Sequence, residues 1–474
     1  MTRRSHWLGE ALRSDDDHAP PLAGDAKHDV CIVGGGFTGM WTALRLKEAD
    51  PSLDVAIIEK DFCGAGASGR NGGFVLSFWA KFLSLKKICG EEESVRVAKA
   101  SADNVAEIGQ FCAAHNIDSH FRYDGWLWAA TSAAQLGAWQ GTMDAAEKWQ
   151  LHPFEEWTPD QVKKRSGSDR HIAGVFEPTA ATVQPALLAR GLRRVVLSKG
   201  VRIYEETPLA SLDTGRPPKV VTPRGTITAK KVVLAMNAWG IRFAELRKGI
   251  VVVSSDIVAT APAPAKLKEI GYSDGMCISD GRTLVHYLRT TKDGRIAFGK
   301  GGMNGNLPFG GNVGEMFDGP SSLKAGVEEW FRWTYPKLAD VKIEASWTGP
   351  IDRSKTGLPH FHHLPGSPDI VYGIGYSGNG VGPTAMGGRI LASLVLEKKD
   401  QWSNCGLVRP LTRDFPPEPI RYVGGKIVQK AVAAKDRAED AGREAGPVIS
   451  YLASFAPAGL SPFKGQKAGL EEKH

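Results

Sequence analysis

The sequence predicts an α/β fold that opens with a nucleotide-binding βαβ unit and continues into strand-rich α+β material. Three observations carry this. An apolar run, Val30 to Val33, ends at a glycine turn and passes into a helical pattern through Trp41, Leu44 and Leu46. The turn holds Gly34, Gly36 and Gly39 in G-x-G-x-x-G spacing. A second apolar run, 54–58, ends in Glu59. That is about 20 residues beyond Gly39, where a dinucleotide fold sets its ribose-binding acid.

Each part of this unit has a physical reason. Gly34 permits the tight turn out of the strand. Gly36 lacks a Cβ, so a pyrophosphate can approach the backbone, and Gly39 lets the helix pack on the strand. The helix start at Phe37 and Thr38 offers N–H groups and a positive dipole end to phosphates. Glu59, with Lys60 beside it, lies at the ribose and repels a 2′-phosphate. Glycine spacing alone is weak in a chain with 55 glycines, but strand, turn, helix, strand and acid in order form a strong Rossmann-like signal. The alternative is an ordinary βαβ unit whose glycines serve packing only.

A second glycine-dense stretch, 64–73, follows at once and includes Gly66, Ala67, Ser68, Arg70, Asn71, Gly72 and Gly73. Small residues let backbone run against a flat ligand, while Ser68, Arg70 and Asn71 supply hydrogen bonds. The alternative is a flexible loop. Helices are expected at 91–114, 131–149, 158–166, 185–195 and 321–335. Strands are expected at 121–128, 201–204, 226–228 and 231–235, the last two around a turn, and over much of 250–300. The 231–235 strand ends at Asn237, Ala238 and Trp239, where backbone again meets a ligand. Near the end, Gly378, Asn379, Gly380 and Val381 lead into a helix from Thr384, a second helix N-terminus aimed at the same place.

Length and composition set bounds. At 474 residues the chain exceeds one simple domain. The net charge of +7 is mild, and no basic block marks nucleic-acid binding. Six scattered cysteines without a C-x-x-C pair suit reduced thiols and a cytoplasmic location. There is no secretory h-region and no apolar run of about 18 residues, so no membrane span is expected. The polar arm 1–27 is expected to pack on the surface or be partly disordered. Residues 406–474 form a charged helical extension and a Gly/Pro/Lys-rich tail.

Together the motifs at 33–39, 67–74, 234–239 and 375–381 resemble the FAD-dependent amine and amino-acid oxidoreductases of the D-amino-acid oxidase superfamily. The likeness is to gamma-glutamylputrescine oxidase-like enzymes, with glycine and sarcosine oxidases as relatives, and it covers roughly 28–400. It implies an FAD-binding domain from 28–80, 150–250 and 340–405. A discontinuous substrate domain on a mostly antiparallel sheet would come from 81–149 and 251–339. It places pyrophosphate at 34–39, Leu209 backbone near the adenine, and residues 378–384 at the pyrimidine end of the flavin. No cysteine lies in 340–375 and no histidine in 60–80, so FAD is expected to be noncovalent.

The implied chemistry is oxidation of a small primary or secondary amine, with oxygen as the expected electron acceptor and a dehydrogenase using another acceptor as the alternative. The amine must be neutral, with its α C–H facing the flavin, and the resulting imine hydrolyses to a carbonyl compound. Positioning dominates such chemistry. Strand alternation sets Tyr287 and Arg289 on one face and His286 and Leu288 on the other. Tyr287, His286 and Trp347 are the candidate catalytic residues, and Arg122, Arg289 and His360 the candidate substrate contacts. Arg122 is alternatively a structural ion-pair residue, and Trp347 alternatively interface packing. The histidines at 360–363 lack companion ligands for a metal, and the resemblance makes that segment a loop at the flavin edge. Ala297 stands where sarcosine oxidase-type relatives carry an oxygen-activating lysine, with Lys300 nearby but offset. Two rival readings are a 2-hydroxy acid dehydrogenase, with His286 as base, and a flavin-binding subunit without turnover.

Overall fold

A computed structural model describes residues 5–300 and 305–458. The tail expected at the C-terminus lies mostly outside the described residues.

Apolar β-branched runs flanked by helices build the first sheet. Its order is His360–Leu364, Ser367–Ile374, Gly225–Leu234, Ala26–Val33, Val55–Ile58 and Arg202–Tyr204, with a hairpin of Ser211–Asp213 and Lys219–Thr222 on the side. Ala26–Val33 pairs in parallel with both Val55–Ile58 and Gly225–Leu234. Strands covered on both faces must be apolar throughout, and all four residues of Val55–Ile58 are buried. The helix Phe37–Ala49 packs on this sheet and against the helix Val381–Val395. They touch so closely that a Cβ on Gly388 would lie 2.7 Å from Trp41 Cβ. Each large apolar side chain buried there contributes roughly 1.5–3 kcal/mol.

The second sheet runs Ile343–Ser354, Ile250–Thr260, Ile296–Lys300, His286–Thr290, Cys277–Asp280, Trp126–Ala130, Ala173–Glu177 and Glu155–Trp157. Its pairings are antiparallel except Cys277–Asp280 with Trp126–Ala130. Ile343–Ser354, Ala173–Glu177 and Glu155–Trp157 belong here, although the expected boundaries put them with the first sheet. Ile343–Ser354 pairs along the length of Ile250–Thr260 at one edge, and Ala173–Glu177 with Glu155–Trp157 extends the other edge from Trp126–Ala130.

Three local expectations change. Residues 226–235 are not two strands around a turn. They lie in one strand, Gly225–Leu234, because the parallel ladder with Ala26–Val33 runs through Ala229 and Lys231. The helix expected at 131–149 is a short turn, Ala133–Gln135, then Gln140–Glu147, broken where Gly137 takes φ +70°. Residues 360–364 are not a loop but an edge strand paired with Ser367–Ile374.

The N-terminal arm is packed. Ser5 Oγ caps the helix His6–Ser14 by accepting from Leu8 N–H at 3.1 Å, and Trp7 is buried. Asp15 and Asp17 pair with Arg190 and Arg193 on the helix Pro185–Ser198, and Glu205 completes the buried network. The extension forms the helices Ile420–Asp440 and Pro447–Ala453, docked on the second sheet.

Candidate active site

Two adjoining cavities share Phe37, Ala67, Ser68, Asn237, Tyr376 and Thr384, and so form one trough. The first lies over the carboxyl ends of the first sheet. Gly34 takes φ +117°, and a Cβ there would sit 2.4 Å from Ala235 O, so only glycine fits. Gly39 presses the helix on the strand: its Cβ would be 2.0 Å from Gly34 O. Glu59 straddles the turn, accepting Gly35 N–H at 2.8 Å and Asp61 N–H at 3.1 Å, and burial pushes its carboxyl up. Beside it Lys60 Nζ lies 4.5 Å from the Trp239 ring centroid. Gly36, Thr38, Gly66 and Leu209 line the same end, whereas Ala238 is buried behind it.

The 64–73 loop is a built structure. Asn71 Nδ2 donates to Ser68 O at 2.8 Å, and Asn71 Oδ1 accepts Gly73 N–H at 2.7 Å. Arg70 Nε donates to Ala65 O at 2.8 Å, and its Nη1 reaches Phe317 O and Thr348 O. Ser68 Oγ accepts Phe37 N–H at 2.9 Å, tying the loop to the helix start. Arg70, Asn71 and Gly72 line the second cavity; Gly73 lies outside it, against Val183 O and Arg289. Across the trough, Gly378, Asn379, Gly380, Val381 and Thr384 present the N-terminus of Val381–Val395, which has no side-chain cap. Its dipole favours negative charge.

The ceiling of the second cavity comes from the second sheet. Tyr287 O–H lies 2.7 Å from Ser255 Oγ, and its ring meets Phe74 edge-on at 5.7 Å. Burial pushes its phenol up, so it stays neutral. Ser279, Thr283, Val285 and Ile351 complete the ceiling.

Five other expected residues lie outside both cavities. Arg122 donates to Thr290 O and, at 3.2 Å, to Thr290 Oγ1. Arg289 donates to Gly72 O and Val183 O, both at 2.7 Å, and stacks over Trp7. Each guanidinium satisfies backbone carbonyls that burial would leave unpaired. His286 faces the opposite side of the sheet, 3.1 Å from Asp280 and against Trp330. Trp347 Nε1 donates to Arg70 O, and its ring packs on Trp7. His360 is buried beside Arg409, and desolvation, then that charge, lowers its pKa to about 3. Ala297 packs with Trp347 and Tyr287, and Lys300 lies over Trp330 on the far side. His362 and His363 sit against backbone carbonyls.

Sequence reasoning missed Asp352 and Arg353. Asp352 Oδ2 accepts Gly375 N–H at 2.6 Å, its Oδ1 has no partner, and burial pushes it up to about 7. Arg353 lines the cavity with an unpartnered Nε. The only local signal was two charges in a row after the uncharged run 345–351.

Fold and trough define a dinucleotide-dependent redox protein. The chain belongs to the FAD-dependent oxidoreductase (DAO) family, whose model matches residues 29–394. A gamma-glutamylputrescine oxidoreductase of Escherichia coli is 28% identical over 79% of this chain and 86% of its own length. A probable oxidoreductase OrdL of Haemophilus influenzae is 26% identical over 84% and 90%. The crystal structure of glycine oxidase from Geobacillus kaustophilus superposes with a TM-score of 0.67 at 21% identity, covering 82% of this chain and 99% of that one.

FAD is the cofactor of this family, and the residues fit it. Asn237 Oδ1 and Asn379 Oδ1 are buried acceptors without partners, both in cavity-lining residues. Glu59, the 66–72 loop and the uncapped helix start supply acid, hydroxyl and N–H groups along one continuous trough. No described residue lining either cavity is cysteine or histidine, in keeping with noncovalent binding. Among the described residues, no cluster is arranged to hold a metal, and no helix is long and apolar enough to cross a membrane.

Proposed function

We propose that this chain oxidises the C–N bond of a small primary or secondary amine, of amino-acid, gamma-glutamyl amine or aminophosphonate type, with oxygen as acceptor. The products are a carbonyl compound, ammonia or amine, and hydrogen peroxide. The first sheet forms the FAD domain and the second the substrate domain. FAD supplies the hydride acceptor. The chain's own residues position and enclose. Tyr287, Ser255, Ser279 and Thr283 form a neutral, hydroxyl-bearing ceiling that receives an uncharged amine. Arg353 takes the role expected of Arg122 and Arg289 and meets an anionic substrate group, since it lines the cavity and those two lie outside it.

The observation that supports amine oxidation over hydroxy-acid oxidation is the position of His286. The one histidine nominated as base lies behind the ceiling, and amine oxidation needs no such base. The printed names of a gamma-glutamylputrescine oxidoreductase and a glycine oxidase among the relatives point the same way, against a more partial match to an L-2-hydroxyglutarate dehydrogenase. The experiment is anaerobic mixing of the holoenzyme with glycine, sarcosine, putrescine, gamma-glutamylputrescine and n-alkylamines up to hexylamine, followed by flavin absorbance. Bleaching by at least one amine, then peroxide on admitting air, is expected. An oxidised flavin with all of them, reduced instead by a 2-hydroxy acid, would overturn the reading. Arg353→Gln is expected to raise KM at least tenfold for carboxylate-bearing amines and under threefold for n-alkylamines.

A further inference from the structure

The family match ends at residue 394, and the helix Ile420–Asp440 lies wholly beyond it. Yet this extension reaches back to the reaction cavity at two points. Ala431 and Val432 pack with Val251, Val253 and Leu284 behind the ceiling. From the same helix, Asp436 Oδ2 accepts Leu284 N–H at 3.0 Å. Asp440 takes Arg282 Nη1 with both oxygens, at 2.7 and 2.6 Å. Arg282 Nε in turn donates to Asp280 at 2.9 Å, and Asp280 accepts His286 N–H at 2.9 Å.

The geometry of residues 282–287 makes these bonds matter. Thr283, Val285 and Tyr287 line the reaction cavity, whereas Arg282, Leu284 and His286 face the extension. The Asp436 and Asp440 bonds therefore each fix the immediate neighbour of a cavity-lining residue. Arg282 and Asp280 are each 3% exposed. Removing one arm would strand a buried charge, so the network holds one arrangement. At the second point, Ala458 O accepts Arg353 Nη2 at 2.8 Å, while Ala458 N–H donates to Lys355 O at 3.0 Å.

We propose that the C-terminal extension is a clamp on the reaction cavity, in which Asp436 and Asp440 are positioning residues. They set where Thr283 and Val285 stand above the substrate, and hence which amines fit. This rests on the reading that amines are oxidised in that cavity.

The test compares holoenzyme of the parent, Asp440→Ala and Asp440→Glu in anaerobic flavin reduction by the amine panel above. Asp440→Ala is expected to keep its FAD and a limiting rate within threefold of the parent. Its half-saturating concentration should rise at least tenfold for the parent's preferred amine, and the preferred alkyl length should shift. Asp440→Glu should return to within threefold. If Asp440→Ala does not load FAD, Arg282→Lys takes its place under the same criteria. An alanine variant with parental half-saturation and chain-length preference overturns the clamp, as does a glutamate variant no better than alanine. A parent whose flavin no amine bleaches overturns the functional reading itself, and the clamp falls with it.

Discussion

The indole N–H of Trp347 donates to the main-chain carbonyl of Arg70 at 2.8 Å, with both residues buried. This bond ties a long strand of the second sheet to the glycine loop that borders the trough. Trp347→Phe keeps most of the ring but leaves a buried carbonyl unpaired. A loss of about 1–3 kcal/mol is expected, together with weaker FAD binding. Urea unfolding and FAD titration check it, and parental values in both would refute the link.

Gly36→Ala is expected to empty the trough. Its Cβ would lie 2.9 Å from Ser68 Oγ, the atom that holds Phe37 N–H. The FAD dissociation constant should rise at least tenfold, read from flavin fluorescence on titrating apoprotein. Gly326→Ala is the control: nothing lies within 4 Å of its Cβ in the helix Lys324–Thr334. It should leave FAD binding alone and stabilise by roughly 0.5–1 kcal/mol.

His286→Gln separates amine from hydroxy-acid chemistry. Desolvation keeps this imidazole's pKa low, and its ring faces Trp330 rather than the trough. Flavin reduction by amines should stay within about tenfold of the parent, with an unchanged pH profile. Loss of an ionisation from that profile would show that the imidazole takes part after all.

Glu177 makes stability depend on pH. Burial pushes its carboxyl from 4.5 to about 7, while Ser77 Oγ and Thr179 Oγ1 donate to Oε1 at 2.5 and 3.0 Å. The folded chain holds a proton that the unfolded chain sheds. Its contribution is complete below about pH 4.5 and falls until about pH 7. Glu177→Gln removes this titration. The parent's unfolding free energy relative to the variant should drop by about 2–3 kcal/mol between pH 5 and pH 8. Urea unfolding across that range measures it, and a constant difference would contradict the assignment.

The cofactor side of the site was readable because its signals are local. Glycine spacing, the acid after the second strand and the uncapped helix start each depend on a few neighbouring residues. Alternation also put Tyr287 and His286 on opposite faces. What the chain does with its arginines was not readable. Arg122 and Arg289 are consumed by carbonyls at 72, 183 and 290, and no local pattern reveals a debt incurred so far away. Asp352 was invisible for the same reason, since its burial and its bond to Gly375 arise from pairing across 23 residues. The His-rich edge strand reads as a loop until Ser367–Ile374 lies beside it. The extension's helix was legible, but its destination was not.

The helix His6–Ser14 carries a consequence for biogenesis. Its anchors are Gly69 and Asn71 for Ser5 and Trp7, and Gln184, Arg190 and Arg193 for the rest of the arm. During synthesis the arm emerges long before most of these partners exist. Trp7, whose ring meets Arg289 and Trp347, must wait, uncovered, until about 340 further residues have been added, on the order of 17 seconds or more at bacterial or eukaryotic elongation speeds. The arm is made before its partners and seated late, so a nascent-chain binder that shields that indole would have most to do on this segment.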